Sequence, residues 1–360
     1  MTSAASLSAG TLAATPLWFP HLLDPVSDRV LLVEKTEAEY RDAAFLDERS
    51  LKPDRPRHGV EWWHLAAAFP PAARRDVQYI FHIGHVGSTL VSRLLGELPG
   101  ILSLREPLIL RTFAEMLGQR GEAEALWDPD SIAGRLDVLT ALLSRTFRPG
   151  QRSLVKASSF VSAIAADLVP AGSRALLLYA RPERYFETIL AGPNSRQELA
   201  MTARDRLKRL HRAAGGERWR LWEMGEGERV AMAWAAEMTS LARAAERLPA
   251  GSAAWLDFDS FLAAPAPSLG TLAEIFSVPL DAAGAEHLAA DPLMRRYSKA
   301  AEYEYSRELR EEVLADARRE HAPAIEAARR WLDGAARDCP AVAAALERAA
   351  STDAGPAANP

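Results

Sequence analysis

The stretch FHIGHVGSTLVSRLL, from Phe81 to Leu95, joins an apolar run to a turn with two glycines and then to a segment of apolar residues at helical spacing. Gly84 and Gly87 allow backbone conformations that other residues avoid, so successive amides can point into one concavity. Ser88 and Thr89 add hydroxyls and unbonded amides at the head of the helix. Such a turn has the chemistry of an anion cradle. The plainer alternative is a tight strand-to-helix turn capped by Ser88. The usual ATP or GTP loop, GxxxxGK[ST], has a lysine that reaches the terminal phosphates. Here Gly87 precedes Ser88 and no lysine lies nearby, which disfavours a nucleoside triphosphatase.

Such a turn must sit between a buried strand and a helix. Four short apolar runs are expected as strands: Val77 to Ile83, Ser153 to Lys156, Arg174 to Ala180 and Ala253 to Phe258. Helical periodicity runs through Ser88 to Leu98, Ser131 to Phe147, Phe160 to Leu168, Glu183 to Leu190, Gln197 to Ala213 and Arg229 to Leu248. Strands alternating with helices and few hairpin signals indicate a parallel sheet covered on both faces. From about Leu280 to Arg348 the pattern is helix alone, clearest in Ser306 to Leu332. Residues 16–76 are mixed, with a helix suggested at Glu37 to Glu48 and GVEWWHL readable as strand or buried loop.

Taken in order, the strand with GHVGSTLVSRLL, REPLIL at 105–110, LLLYARPERYFETIL at 176–190 and AAWLDFDSFLAAPAPSLGTLAEIF at 253–276 resemble the sulfotransferases. The resemblance spans roughly 77–300. It implies an α/β, three-layer P-loop-like fold with a central parallel sheet flanked by helices, plus a helical C-terminal part. It also implies 3'-phosphoadenosine 5'-phosphosulfate as sulfonate donor. Carried over, Gly84, His85, Gly87, Ser88 and Thr89 would wrap the 5'-phosphosulfate, Arg181 and Thr188 would hold the 3'-phosphate, and Glu106 would be the base on the acceptor. A basic loop of the family closes over the 3'-phosphate, and MRRYSKAAEYEY places Arg295, Arg296 and Lys299 at the comparable point. Two departures stand out. The family's loop Lys or Arg is replaced by His85, and Arg181 directly precedes Pro182 instead of standing two before it.

Sulfonyl transfer asks for in-line alignment and for positive charge near the leaving oxygen. His85 serves if protonated; a neutral donor or an imidazole without a role is the alternative. Glu106 serves as base if within reach of the attacked group, or is an acidic residue at the start of the helix after Pro107. Arg105 beside it reads as an ion-pair partner or a donor contact. Lys156 ends its strand at the crevice as a donor-binding candidate, with a solvated lysine as the alternative. His82 is expected as a packed histidine, and the His82/His85 pair lacks the further ligands of a metal site. The run Arg204, Arg206, Lys208, Arg209, Arg212 reads as a solvated helix, with an acidic acceptor as the sharper alternative.

The 360 residues carry a net charge of -5 and are 48% hydrophobic, an ordinary globular composition that argues against a bulk nucleic-acid or membrane-surface binder. A single cysteine, Cys339, excludes an intrachain disulfide framework and a cysteine-rich metal site. With no secretory pattern at the start, a cytoplasmic protein is expected. The expected organisation is tails at 1–15 and 349–360, an extension at 16–76, an α/β core at 77–278 and a helical part at 279–348. The expected activity is sulfonate transfer to a hydroxyl or amine of a small-molecule, glycan or peptide acceptor. An ATP-dependent small-molecule kinase with a degenerate loop and a non-catalytic nucleotide-binding relative remain the alternatives.

Overall fold

The computed structural model describes residues 8–296 and 306–351. Five short strands form a parallel sheet in the order β5-β6-β4-β7-β8: β4 (Gln78–His82), β5 (Ile101–Arg105), β6 (Arg152–Lys156), β7 (Ala175–Tyr179) and β8 (Ala253–Asp257). Apart from Arg152 every residue of these strands is buried, as a sheet covered on both faces requires. The chain passes from β4 to β5 and β6 on one side and then to β7 and β8 on the other. β4 is therefore the switch point, and the crevice at its carboxyl end is where such sheets bind ligands.

Helices α4 (Ser88–Gly96) and α5 (Ile109–Gly118) flank β5, and α6 (Pro129–Leu143) leads to β6. A 3-10 segment, Ser159–Ile164, and α7 (Ala165–Leu168) follow β6. Between β7 and β8 come α8 (Pro182–Ala191), α9 (Pro193–Ala214) and α10 (Glu226–Arg247). After β8 come α11 (Phe258–Ala263), α12 (Pro265–Ile275) and α13 (Ala282–Ala289), then α14 (Arg307–Glu320), α15 (Ala322–Asp338) and α16 (Pro340–Ala350). Trp234 of α10 is fully buried and donates its indole N–H to Ala180 O at 2.9 Å, tying this helix to the end of β7.

The N-terminal part holds α1 (Ala9–Ala14), α2 (Glu37–Asp42), α3 (Trp62–Ala67) and a separate antiparallel sheet of β1 (Trp18–Asp24), β2 (Arg29–Glu34) and β3 (Arg57–Glu61). Two buried arginines, one at the end of β5 and one just after α6, fasten it to the rest of the fold. Arg105 donates to the carbonyls of Tyr40, Arg41 (2.8 Å) and Ala43 (2.7 Å), so it is neither the ion-pair partner nor the donor contact expected of it. Arg145 donates likewise to Leu12, Thr15 and Trp18. Satisfying several carbonyls with one guanidinium fork is what makes its burial tolerable.

Several expectations need correction. The segment read as a tail contains α1, capped by Ser8 through Thr11 N–H, and its Leu12 is buried. At the other end α16 extends to Ala350, with Ala349 buried. β5 escaped notice because the Pro99-Gly100 turn joins it so closely to α4 that its apolar residues continue the helical pattern. The β1–β3 sheet was masked by Pro20, which sits at a register shift between Pro20 and Leu22 on an edge strand, where proline is tolerated. The helix expected over Ser306 to Leu332 is broken at His321, and Pro323 lies in the first turn of α15. GVEWWHL is strand β3 running into α3.

Candidate anion site at the carboxyl ends of the parallel strands

β4 ends at His82 and α4 begins at Ser88; the five residues between them form the loop. Gly84, His85 and Gly87 all have positive φ, at 85°, 54° and 66°, so the loop folds back as a concavity. Gly87 is required twice over. A Cβ there would lie 2.0 Å from the Phe258 ring, and φ is in the left-handed region. Among the described residues no side chain caps α4, and its first backbone bond runs from Val91 N–H to Gly87 O at 3.1 Å. The amides of Ser88, Thr89 and Leu90 are thus the unbonded head of the helix. His82 is packed as expected, its Nε2 2.8 Å from Ala157 O and its Nδ1 accepting from Gly84 N–H at 3.0 Å.

The lysine missing from the loop arrives from the neighbouring strand. Lys156, the last residue of β6, is completely buried, and its Nζ donates to Thr89 Oγ1 at 3.2 Å. The solvated alternative is therefore corrected. The same ammonium pairs with Glu106 and lies 5.4 Å from the centre of the Phe45 ring. Glu106 follows β5 directly and is held in a positive φ of 52°, unusual for a glutamate. Its amide donates to Lys156 O at 2.6 Å, and its second carboxylate oxygen accepts from Ser158 Oγ at 3.3 Å, with Arg111 Nη2 3.7 Å away. β5 and β6 thereby place a carboxylate, a hydroxyl and a cation together at the loop.

On the other side, His85 Nε2 lies 3.1 Å from Glu198 Oε2 of α9. Glu198 Oε1 is 3.6 Å from Arg206, whose Nε donates to Glu237 Oε1 at 2.9 Å; Arg209 joins the same carboxylate at 2.7 Å. Burial opposes the charge on Glu237, but Arg209 and then Arg206 outweigh it and hold its carboxyl below the ordinary value. The basic run on α9 is therefore not a solvated face throughout: Arg206 is buried and approaches the loop, since a Cβ on Gly84 would lie 3.9 Å from its Nη2.

The remaining candidates sit further along. Arg181 occupies the N-cap position of α8 without a side-chain capping bond and is exposed, and Glu183 pairs with Arg329 at 3.8 Å. Thr188 donates its hydroxyl to Arg184 O at 2.7 Å within its own helix. Arg295 and Arg296 are exposed at the end of a 3-10 turn that packs against α4, and Lys299 lies outside the described residues. At the end of β8, burial and then Asp259 raise the carboxyl of Asp257, whose Oδ2 caps α11 through Ser260. Sequence reasoning missed Ser158, Glu198, Arg206 as a loop neighbour, and Phe258. The hydroxyl pair after Lys156 was a usable signal for Ser158; nothing local marks the other three.

No family model matches the chain, and no curated protein matches it. Among solved structures, it is similar to the sulfotransferase domain from the curacin biosynthetic pathway, at 14% identity and a TM-score of 0.39 over 65% of this chain and 85% of that one. It is similar to the sulfotransferase domain of the Synechococcus PCC 7002 olefin synthase, at 14% identity and a TM-score of 0.39 over 73% and 96%. A sulfotransferase from Mycobacterium avium aligns at 15% identity and a TM-score of 0.37, over 71% and 78%.

Proposed function

We propose that the protein is a sulfotransferase that moves a sulfonyl group from 3'-phosphoadenosine 5'-phosphosulfate to a hydroxyl or amine. The observation that carries this reading is Lys156 Nζ at 3.2 Å from Thr89 Oγ1. It brings a buried cation to the head of a helix that already offers unbonded amides, at the switch point of a parallel sheet. The loop suits the 5'-phosphosulfate: Gly84, His85 and Gly87 at positive φ fold it back as a concavity, and no side chain of the described residues caps the head of α4. The motifs shared with the sulfotransferases supply the choice of donor.

In this reading the donor supplies the sulfonyl group. The loop amides, Ser88 and Thr89 hold its 5' end, and Lys156 stands where negative charge grows on the oxygen that leaves. As Lys156 turns toward that oxygen, Glu106 faces the acceptor and takes its proton, so that the new S–O or S–N bond forms as the bond to the donor's phosphate breaks. Arg181, Thr188, Arg296 and Lys299 are the candidates for the 3'-phosphate.

The test is thermal unfolding with nucleotides. 3'-Phosphoadenosine 5'-phosphate at a hundred times its dissociation constant adds about 2.7 kcal/mol of stability, a readily visible shift. ATP with magnesium is expected to do less. A large shift with ATP and none with the bisphosphate would replace this reading by a kinase.

A further inference from the structure

Arg111 lies in the first turn of α5, five residues after Glu106, and is built unlike the other arginines around the site. Its backbone amide is bonded to Leu108 O at 2.9 Å, but its guanidinium makes no hydrogen bond among the described residues. Its Nε is buried without a hydrogen-bond partner among the described residues; Glu106 Oε2 is 3.7 Å away, beyond ordinary hydrogen-bond length, and the Asp47 carboxylate lies within the reach of its charge. The group rests 5.9 Å from the centre of the Phe160 ring, with two-fifths of the side chain exposed. That Glu106 is already engaged by Lys156 and Ser158. Arg49, also near this carboxylate, is occupied by Asp47 through its Nε at 3.0 Å.

The guanidinium keeps hydrogen-bonding capacity that no described residue uses. The head of a helix carries positive potential, α5 has no acidic residue in its first turn, and a cation there is repelled by the helix dipole. A guanidinium presents a planar fork that matches two oxygens of one anion. Neighbouring Lys156 adds to the same field.

On the sulfotransferase reading, we propose that Arg111 recognises an anionic group of the acceptor, a carboxylate or phosphate ester on the same molecule as the hydroxyl or amine facing Glu106. The acceptor is then a hydroxy- or amino-substituted acid.

Binding is measured by calorimetry on the full chain saturated with 3'-phosphoadenosine 5'-phosphate, using 4-hydroxyphenylacetate, 4-hydroxyphenyl phosphate and the neutral 4-hydroxyphenylethanol. Both anions are expected to bind at least tenfold tighter than the alcohol. Arg111→Met is expected to erase that difference while leaving bisphosphate affinity within about twofold, and Arg111→Lys to restore part of it. The phosphate and carboxylate arms distinguish the two anion types. Equal binding of the alcohol, no binding of either anion at millimolar concentration, or a loss of bisphosphate affinity in Arg111→Met would each overturn the proposal. If the bisphosphate itself fails to bind, the donor reading falls, and the same anion and alcohol comparison on the unloaded protein still decides the role of Arg111.

Discussion

Lys156 is the residue on which the proposed site turns, because it pairs with Glu106 and, on that proposal, would also supply the charge an anion needs. Removing it has two separable effects. Lys156→Met leaves the Glu106 carboxylate without its ammonium in a largely buried place, a change that costs on the order of 3–5 kcal/mol when one partner of such a pair is lost. The double variant Lys156→Met/Glu106→Gln is expected to recover much of that stability. Bisphosphate affinity is expected to stay low in both, by roughly tenfold or more, as for a lost charge-assisted hydrogen bond of about 1.5–3 kcal/mol. Chemical denaturation and calorimetry on the three proteins separate the effects. If the double variant binds the bisphosphate as the parent does, Lys156 is a structural partner of Glu106 alone. His85 is a second cation candidate, but Glu198 engages it in the structure, so its availability to a ligand depends on how α9 holds that carboxylate.

At the scale of elements, the loop between β4 and α4 is shaped by contact with the start of α11, where the Phe258 ring fills the space beside Gly87. Gly87→Ala meets two penalties: left-handed backbone for a residue with a Cβ, about 1–2 kcal/mol, and overpacking against the ring, about 1–3 kcal/mol. Phe258→Ala in the same chain removes the second penalty and leaves the first, at the expense of a cavity of its own. The coupling energy from the double-mutant cycle is therefore expected to be favourable, and unfolding curves of the four proteins measure it. Strict additivity would mean that ring and glycine are not in contact in solution.

Across the whole molecule, charged groups inside the fold join parts of the chain that lie far apart in sequence. Arg105 and Arg145 fasten the N-terminal part, and Glu237 on α10 receives both Arg206 and Arg209 from α9. Because the carboxyl of Glu237 is held below its ordinary value of 4.5, its contribution to stability is fully present above that pH and is lost as pH falls toward the lower folded value. Glu237→Gln is expected to lower the melting temperature at pH 7. The gap from the parent is expected to narrow as pH drops below about 4.5, where the carboxyl of the unfolded chain begins to take up a proton while that of the folded protein is still charged. A gap that stays constant down to pH 3 would show that the arginines do not depend on this charge. Among the described residues no helix is long and apolar enough to cross a membrane.

The sequence by itself determined the parallel α/β class, four of the five strands of the main sheet and the loop with its helix, because these are local properties. Apolar runs of strand length, helical periodicity and two glycines before Ser88-Thr89 each act within a dozen residues. It marked Glu106 and Lys156 as candidates but carried no trace of their pairing, since they are joined only through the register that sets Arg105 against Lys156 across β5 and β6. Tertiary structure also decided that Lys156 and Arg206 are buried, against the usual fate of such side chains, by bringing Glu106 and Glu237 to them. The antiparallel sheet lay outside local reasoning for a related reason: its strand with Pro20 is stabilised by pairing and by contact with α5, neither of which leaves a periodic signature.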